Sequence, residues 1–231
     1  KDEPDYPYTW QVETGKPLGA TYGWIADGLF ADQADIDNHA DQSYFGSRVM
    51  PGDIKYRDVN GDGRINDQDR VMLSPYGTNP RIQYGFGVSV QWRNFDLSVF
   101  FNGSAKRRIM LDPAQLQPFN QMWTADRNLM SWIADSHWTE GGNNANVAWP
   151  RLGTLQAQYE NNLNPSSFWM KNADFLRFKT LEVGYNWKFL RVYFSGDNLC
   201  VWSPFKYWDP ELSYNTYPLN RTFNLGVQFH F

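Results

Sequence analysis

From Arg81 to Trp92 the chain alternates strictly between apolar and polar positions. Ile82, Tyr84, Phe86, Val88, Val90 and Trp92 fall on one face; Gln83, Gly85, Gly87, Ser89 and Gln91 fall on the other. Successive side chains of a strand point to opposite faces, so this pattern predicts a β-strand. Ordinary strands run to about five or six residues, and a run this long, apolar on one whole face with aromatics near both ends, suits exposure to lipid. A sandwich strand over a dry core is the soluble counterpart of the same pattern. After Arg93-Asn94, Phe95, Leu97, Val99 and Phe101 continue the apolar face opposite Asp96, Ser98, Phe100 and Asn102, which predicts a hairpin. Phe175 to Trp187 repeats the pattern: Leu181, Val183, Tyr185 and Trp187 oppose Thr180, Glu182, Gly184 and Asn186. A short turn at Lys188-Phe189-Leu190 leads into Arg191 to Val201, whose faces are less cleanly sorted. Arg221 to Phe231 closes the series, with Phe223, Leu225, Val227, Phe229 and Phe231 on one face and Thr222, Asn224, Gly226, Gln228 and His230 on the other.

The connections differ in length. Long ones over 31–80, 104–173 and 202–220 alternate with short ones at 93–94 and 188–190. Outer-membrane barrels have short periplasmic turns and long extracellular loops. On that basis the long connections lie outside the cell and Phe231 at the periplasmic rim. Residues 1–16 are polar and turn-rich, 17–30 extended, and Asp32 to Arg48 acidic and loop-like. Within the longest connection, Leu116, Phe119, Trp123, Leu129, Trp132 and Ile133 recur at helical spacing, which predicts a helical insert over Pro113 to Trp138.

The sharpest chemical signal is the stretch Asp58 to Asp69. Asp58, Asn60 and Asp62 take positions 1, 3 and 5 of a calcium loop, and Gly63 takes position 6, where the chain must turn. Arg64 offers its carbonyl at position 7, Asn66 sits at position 9, and Asp69 at position 12. Calcium takes about 6–8 oxygens, and this spacing supplies them from one short segment. Asp69 stands where Glu is usual and reaches one methylene less far, as in dockerin-type loops. An Asx- and Gly-rich turn without metal is the simpler reading. Asp67 to Leu73 is expected to leave the loop as one or two helical turns.

Composition narrows the function classes. At 231 residues the chain has room for one or two domains, and a net charge of -4 gives no sign of nucleic-acid binding. No apolar run approaches the roughly 18 residues of a membrane helix, which bears on helices and not on barrel strands. Cys200 is the single cysteine, so no internal disulfide forms. His39, His137 and His230 are scattered, His230 on the lumen side, and no hydrolase or zinc motif occurs. An enzyme is therefore not expected. Aromatics make up 17% of the chain, a load that barrel girdles or sugar-stacking surfaces would explain. Trp123, Trp132, Trp138, Trp149, Tyr207 and Trp208 are candidates for gripping a substrate, with Tyr159 and Trp169 beside them; packing the long loops is the alternative for each. Lys106-Arg107-Arg108, just past the second strand, is suited to lipopolysaccharide phosphates or to a solvated loop base.

The phrase Pro51-Gly52-Asp53-Ile54-Lys55-Tyr56-Arg57-Asp58, followed by Asp69-Arg70, Asn79-Pro80 and Tyr84-Gly85-Phe86-Gly87, resembles the SusC/RagA family of TonB-dependent outer-membrane transporters of the Bacteroidetes. Further likeness lies in Gly15-Lys16-Pro17-Leu18-Gly19, Tyr22-Gly23, Gly28-Leu29-Phe30, Asn94-Phe95-Asp96-Leu97-Ser98-Val99, Asp174-Phe175-Leu176-Arg177 and Tyr217-Pro218-Leu219-Asn220-Arg221-Thr222-Phe223, so it covers nearly all of residues 1–231. The resemblance implies an all-β chain: five or six C-terminal strands of a plugged antiparallel transmembrane β-barrel of about 22 strands. It implies import of an oligosaccharide or oligopeptide, a SusD-like surface lipoprotein over the mouth, and coupling to TonB through an N-terminal part that also holds the plug. The chain starts at Lys1, so a targeting segment is expected to have been removed or to lie on that part. Phe223, Leu225, Val227, Phe229 and Phe231 resemble the signal read by the barrel assembly machinery. The competing expectation is a secreted, calcium-dependent carbohydrate-binding or adhesion module.

Overall fold

The computed structural model describes residues 5–46, 48–119, 128–153, 160–214 and 216–230. Its strands are β1 (Thr21–Gly23), β2 (Ala26–Leu29), β3 (Ile54–Tyr56), β4 (Val71–Ser74), β5 (Ile82–Trp92), β6 (Phe95–Ala105), β7 (Arg108–Met110), β8 (Met170–Asn172), β9 (Phe175–Trp187), β10 (Leu190–Trp202) and β11 (Thr222–Phe229). Two compact units form: one from 1–77 with 109–171, the other from 78–108 with 172–231.

The second unit is a five-stranded antiparallel sheet in the order β11-β10-β9-β6-β5. The alternating runs become strands of 11 to 13 residues, save β11, which is shorter. Two-residue turns at Arg93–Asn94 and Lys188–Phe189 close the hairpins, with Arg93 and Lys188 at positive φ (54° and 52°). Register is unbroken between β5 and β6, where Val88 faces Val99 and Trp92 faces Phe95. It slips once between β6 and β9, at Lys179, and once between β9 and β10, at Asn198 and Leu199. The two bulges touch, Lys179 Nζ donating to Asn198 Oδ1 at 2.9 Å. An extra residue changes which face the following side chains take. Below the β9 bulge Leu181 and Val183 pair with Val99 and Leu97; above it Phe178 and Leu176 pair with Phe101 and Gly103. Arg177 therefore shares the face of Asn102.

The first unit is built of short pieces. β1 pairs β4 and β2 pairs β3, both antiparallel with one irregularity each. The acidic stretch expected to be loop contains a five-residue helix, Gln33–Asp37, capped by the Asp32 carboxylate. Of the helical insert expected over Pro113 to Trp138, the described residues contain two single turns, Pro113–Leu116 and Ser131–Ala134; 120–127 lie outside the described residues. Pro113 starts the first with Asp112 as cap, and the chain leaves it at Gln117. The loop exit at Asp67–Asp69 is one 3-10 turn and then strand β4, not a longer helix. The core is Phe30, Ile54, Tyr56, Ile65, Leu111, Ile133, Trp149 and Trp169.

Candidate functional site

The sheet sorts its side chains completely. One face carries Tyr84, Phe86, Val88, Val90 and Trp92 on β5, Phe95, Leu97, Val99 and Phe101 on β6, Leu181, Val183, Tyr185 and Trp187 on β9, Val192 and Phe194 on β10, and Phe223, Leu225, Val227 and Phe229 on β11. None is charged. Val88 is 58% exposed, Trp92 63% and Leu225 78%, so nothing in the chain covers them. Aromatic rings run across strands: Phe101 stacks on Phe86 at 5.2 Å and on Phe178 at 4.7 Å. A patch this large is far beyond what a water-soluble surface tolerates.

The opposite face is polar and self-paired. Arg191 donates to Asp96 and, at 2.6 Å, to Glu182, while Asn186 donates to Asp96 at 2.9 Å. The Tyr193 ring lies 5.0 Å from the Arg191 guanidinium. That ring fits because residue 226 is Gly, whose missing Cβ would stand 2.3 Å from Tyr193 Cζ. Toward the loop end, buried Arg177 donates to Asp209 at 2.6 and 2.8 Å and to Glu211 at 3.1 Å, which fastens residues 203–214. Arg107 is also buried, giving its guanidinium protons to the Thr78 and Pro210 carbonyls. Of the run Lys106-Arg107-Arg108, Arg107 is thus spent within the loop base, neither solvated nor open to lipopolysaccharide phosphates.

The 58–69 segment is a turn closed by its own side chains. Gly61 and Gly63 turn the chain at φ 75° and 80°. Asp58 accepts from the Gly61 and Gly63 amides at 2.7 and 2.8 Å, and Asp62 from the Arg64 amide at 2.9 Å. Asn60 accepts from the Asp62 amide at 3.0 Å, and Asn66 caps the 3-10 turn through Gln68. Asp69 is buried and ties the two ends together, bonding the Val59 amide at 2.8 Å and the Asn66 amide at 2.9 Å. Ile65 points into the core, fully buried. Two indoles grip the segment from outside it: Trp24 donates to the Asn66 carbonyl at 2.9 Å and Trp10 to the Gln68 carbonyl at 2.8 Å. Among the described residues no three His, Cys, Asp or Glu side chains are gathered closely enough to hold a metal. The carboxylates are spread over backbone amides, and Asp69 Oδ1 takes two of them, from Val59 and Asn60.

Behind this segment lies a buried polar network that periodicity could not reveal. Asp53 is wholly enclosed; it accepts from Arg151 Nε at 2.5 Å, Asn162 Nδ2 at 2.7 Å and the Met50 amide at 2.9 Å. Burial pushes its carboxyl above the ordinary 3.8, against the pull of Arg151. Asn161 and Gln42 join across the unit at 2.9 Å, and both reach the Ile54 carbonyl. The only early signal was Pro51-Gly52-Asp53, in which Gly52 holds φ 87° and a Cβ would strike the Trp138 ring.

The aromatic candidates divide. Trp149 and Trp169 are enclosed in the core, their rings 4.8 Å apart, with Trp132 5.9 Å from Trp149; Trp149 is thus closed to substrate, because the loops use it for their own interior. Tyr207 and Trp208 pack on buried Phe205 at 5.2 and 4.8 Å and remain partly open. Trp123, Tyr159 and Phe231 lie outside the described residues. Of the proposed assembly signal, Phe223, Leu225, Val227 and Phe229 line the apolar face of β11.

No protein-family model matches the chain. It is similar to TonB-dependent receptor P26 of Formosa agariphila, 29% identical over 88% of the chain and 22% of the receptor. A second receptor of that organism, P3, is 24% identical over 95% of the chain and 23% of its own length. The chain thus spans under a quarter of the relatives it matches. Its fold superposes on the RagAB peptide importer in the open-open state with a TM-score of 0.58, at 18% identity, over 92% of the chain and 22% of that chain. The RagAB peptide transporter gives 0.59 over 91% of the chain and 22% of its own. By sequence and by fold the chain resembles the C-terminal part of a SusC/RagA-type TonB-dependent transporter, and its place is the bacterial outer membrane.

Proposed function

We propose that these residues form part of the wall and extracellular loops of a barrel that imports a large nutrient, an oligosaccharide or oligopeptide, in a TonB-dependent manner. A SusD-like surface lipoprotein closes the mouth; the two-component RagAB importers of similar fold support this. One observation carries the reading: an uncovered apolar face runs unbroken across five strands while every charge of the sheet faces the other way. In hydrocarbon every backbone group must be paired, so β5 and β11 each need a neighbour from the rest of the transporter, closing a wall of about 22 strands. The test uses the full-length protein in its native membrane, with Cys200→Ser and a single cysteine at Val88 or Ser89. A fluorophore at Val88 should be quenched by brominated lipid, and Ser89→Cys should react with a water-soluble maleimide. The reverse pattern defeats the reading. Uptake should also stop when TonB is deleted. A full-length protein that stays monodisperse without detergent would instead favour a secreted calcium-dependent binding module.

Within this reading the 58–69 segment takes a structural calcium ion, held by the side chains of Asp58, Asn60, Asp62, Asn66 and Asp69 and the Arg64 carbonyl. All are hard oxygen donors in the order calcium prefers. The ion would draw Asp58 and Asp62 together and order residues 50–75 without being needed by the sheet. Because Trp24 and Trp10 touch the segment, bound terbium should emit when tryptophan is excited. Calcium should displace it, and Asp62→Ala should abolish the emission. Emission that persists in Asp62→Ala, or none in the parent, removes calcium from the account.

A further inference from the structure

On the polar face of the sheet, at the end nearest residues 203–214, lies a cavity of about 630 Å³, within the range of small-ligand sites. Its floor is built in rows across the strands: Gln83 beside Ser104 and Phe175, then Gly85 beside Asn102, with Phe100 in the next row. Thr78 to Pro80 and Ser213 form the sides.

Three features of this floor have no use among the described residues. Ser104 is only 4% exposed, yet its Oγ has no hydrogen-bond partner. Asn102 Oδ1, one row below, is likewise buried and unpartnered. Leaving such groups unpaired is destabilising, and each calls for an explanation. The third is Phe100, an aromatic ring on the polar face. It lies flat over Gly85 and Gly87: a Cβ at those positions would stand 3.0 Å and 3.1 Å from the ring. Two glycines thus make a shelf that turns one side of the ring toward the cavity, where it stays 40% exposed.

The charges at the rim are already consumed. Arg107 donates to the Thr78 and Pro210 carbonyls, and Glu211 accepts from Arg177 at 3.1 Å. What remains is amide, hydroxyl and aromatic face. A charged peptide finds no counter-ion here. An uncharged sugar matches each part: its hydroxyls both donate and accept, as Asn102, Ser104 and Gln83 require, and its C–H face lies on an aromatic ring.

We propose that this cavity is a subsite for a neutral pyranose unit, stacked on Phe100 and hydrogen-bonded by Asn102, Ser104 and Gln83. This rests on the transporter reading above and narrows it to an uncharged glycan.

The test measures binding of maltoheptaose, cellohexaose, mannohexaose and galactohexaose, with a casein tryptic digest as peptide control, to the full-length transporter in detergent. At least one glycan should bind, and the peptides should not compete. Asn102→Ala should weaken binding about tenfold, the worth of one well-placed hydrogen bond. Phe100→Ala should weaken it about three- to tenfold, the worth of a stacking contact, and Phe100→Tyr should restore it. A photo-crosslinking residue in place of Gln83 should label bound glycan. Absence of binding by all four glycans, unchanged affinity in both alanine variants, or a crosslink from position 83 to another part of the same polypeptide overturns the subsite. If the protein still takes up nutrient through TonB in any of those cases, the transporter reading stands and only the subsite falls.

Discussion

Substituting Val88 by Arg tests the orientation of the sheet most directly. Eleven residues of β5, rising about 3.4 Å each and tilted about 40°, climb about 28 Å, close to the apolar band of about 25 Å on outer-membrane barrels. Val88 sits one residue past the middle of the strand, 58% exposed and facing Val99. An Arg near the midplane on the lipid side costs about 2–4 kcal/mol. The same change at Ser89, one residue on, points the other way. There it removes only the Ser89–Ser98 hydroxyl contact at 3.0 Å, worth about 1 kcal/mol or less. The two variants should therefore differ by at least about 1 kcal/mol. The assay is equilibrium unfolding of the full-length protein in phosphatidylcholine vesicles by guanidinium, followed by tryptophan emission. If Val88→Arg costs no more than Ser89→Arg, the apolar face does not meet hydrocarbon and the reasoning is refuted.

Arg177→Met leaves Asp209 and Glu211 without their buried cation, a loss of about 3–5 kcal/mol for a buried pair. Residues 203–214 should then be cut faster by protease added to whole cells, and equal cutting rates would show that Arg177 does not fasten them. Asp53 has its carboxyl raised above 3.8 by burial. Its contribution to stability is therefore full below about pH 3.8 and is lost as pH rises through the raised value. Asp53→Asn should remove that part of the pH dependence from thermal melts of the loops, and an unaltered slope counts against it. Phe229→Ser, on the exposed face of β11, should lower the amount of assembled protein in the outer membrane more than the uptake per assembled molecule; the opposite split would assign Phe229 to transport.

The strands were legible because their constraint is local. Alternation with a period of two reports which side of a wall each residue faces, and the 81–92 run needed no knowledge of its neighbours. The calcium-type spacing was legible for the same reason, since its hydrogen bonds close within twelve residues, as Asp58 to Gly63 and Val59 to Asp69 show. What periodicity missed is set by distant partners. Asp53 finds Arg151 across 98 residues and Asn162 across 109; no window contains both. Leu116 and Ile133, spaced for one helix, are buried from two separate single turns, a division that periodicity does not report. Phe100 was counted merely as an opposite-face residue, although Gly85 and Gly87 on the facing strand already left room for its ring.

The bulge at Lys179 gives one residue an influence out of proportion to its chemistry. Substituting Lys179 removes little more than a bond to Asn198. Deleting it would only straighten the strand: Phe178 and Thr180 would become neighbours opposite Phe101 and Phe100, and Arg177 would stay beside Asn102 on the polar face. The damaging event is instead a slip that draws Lys179 into the ladder as a paired residue: every β9 side chain on the loop side would then exchange faces, Arg177 turning to the apolar side and Phe178 to the polar one.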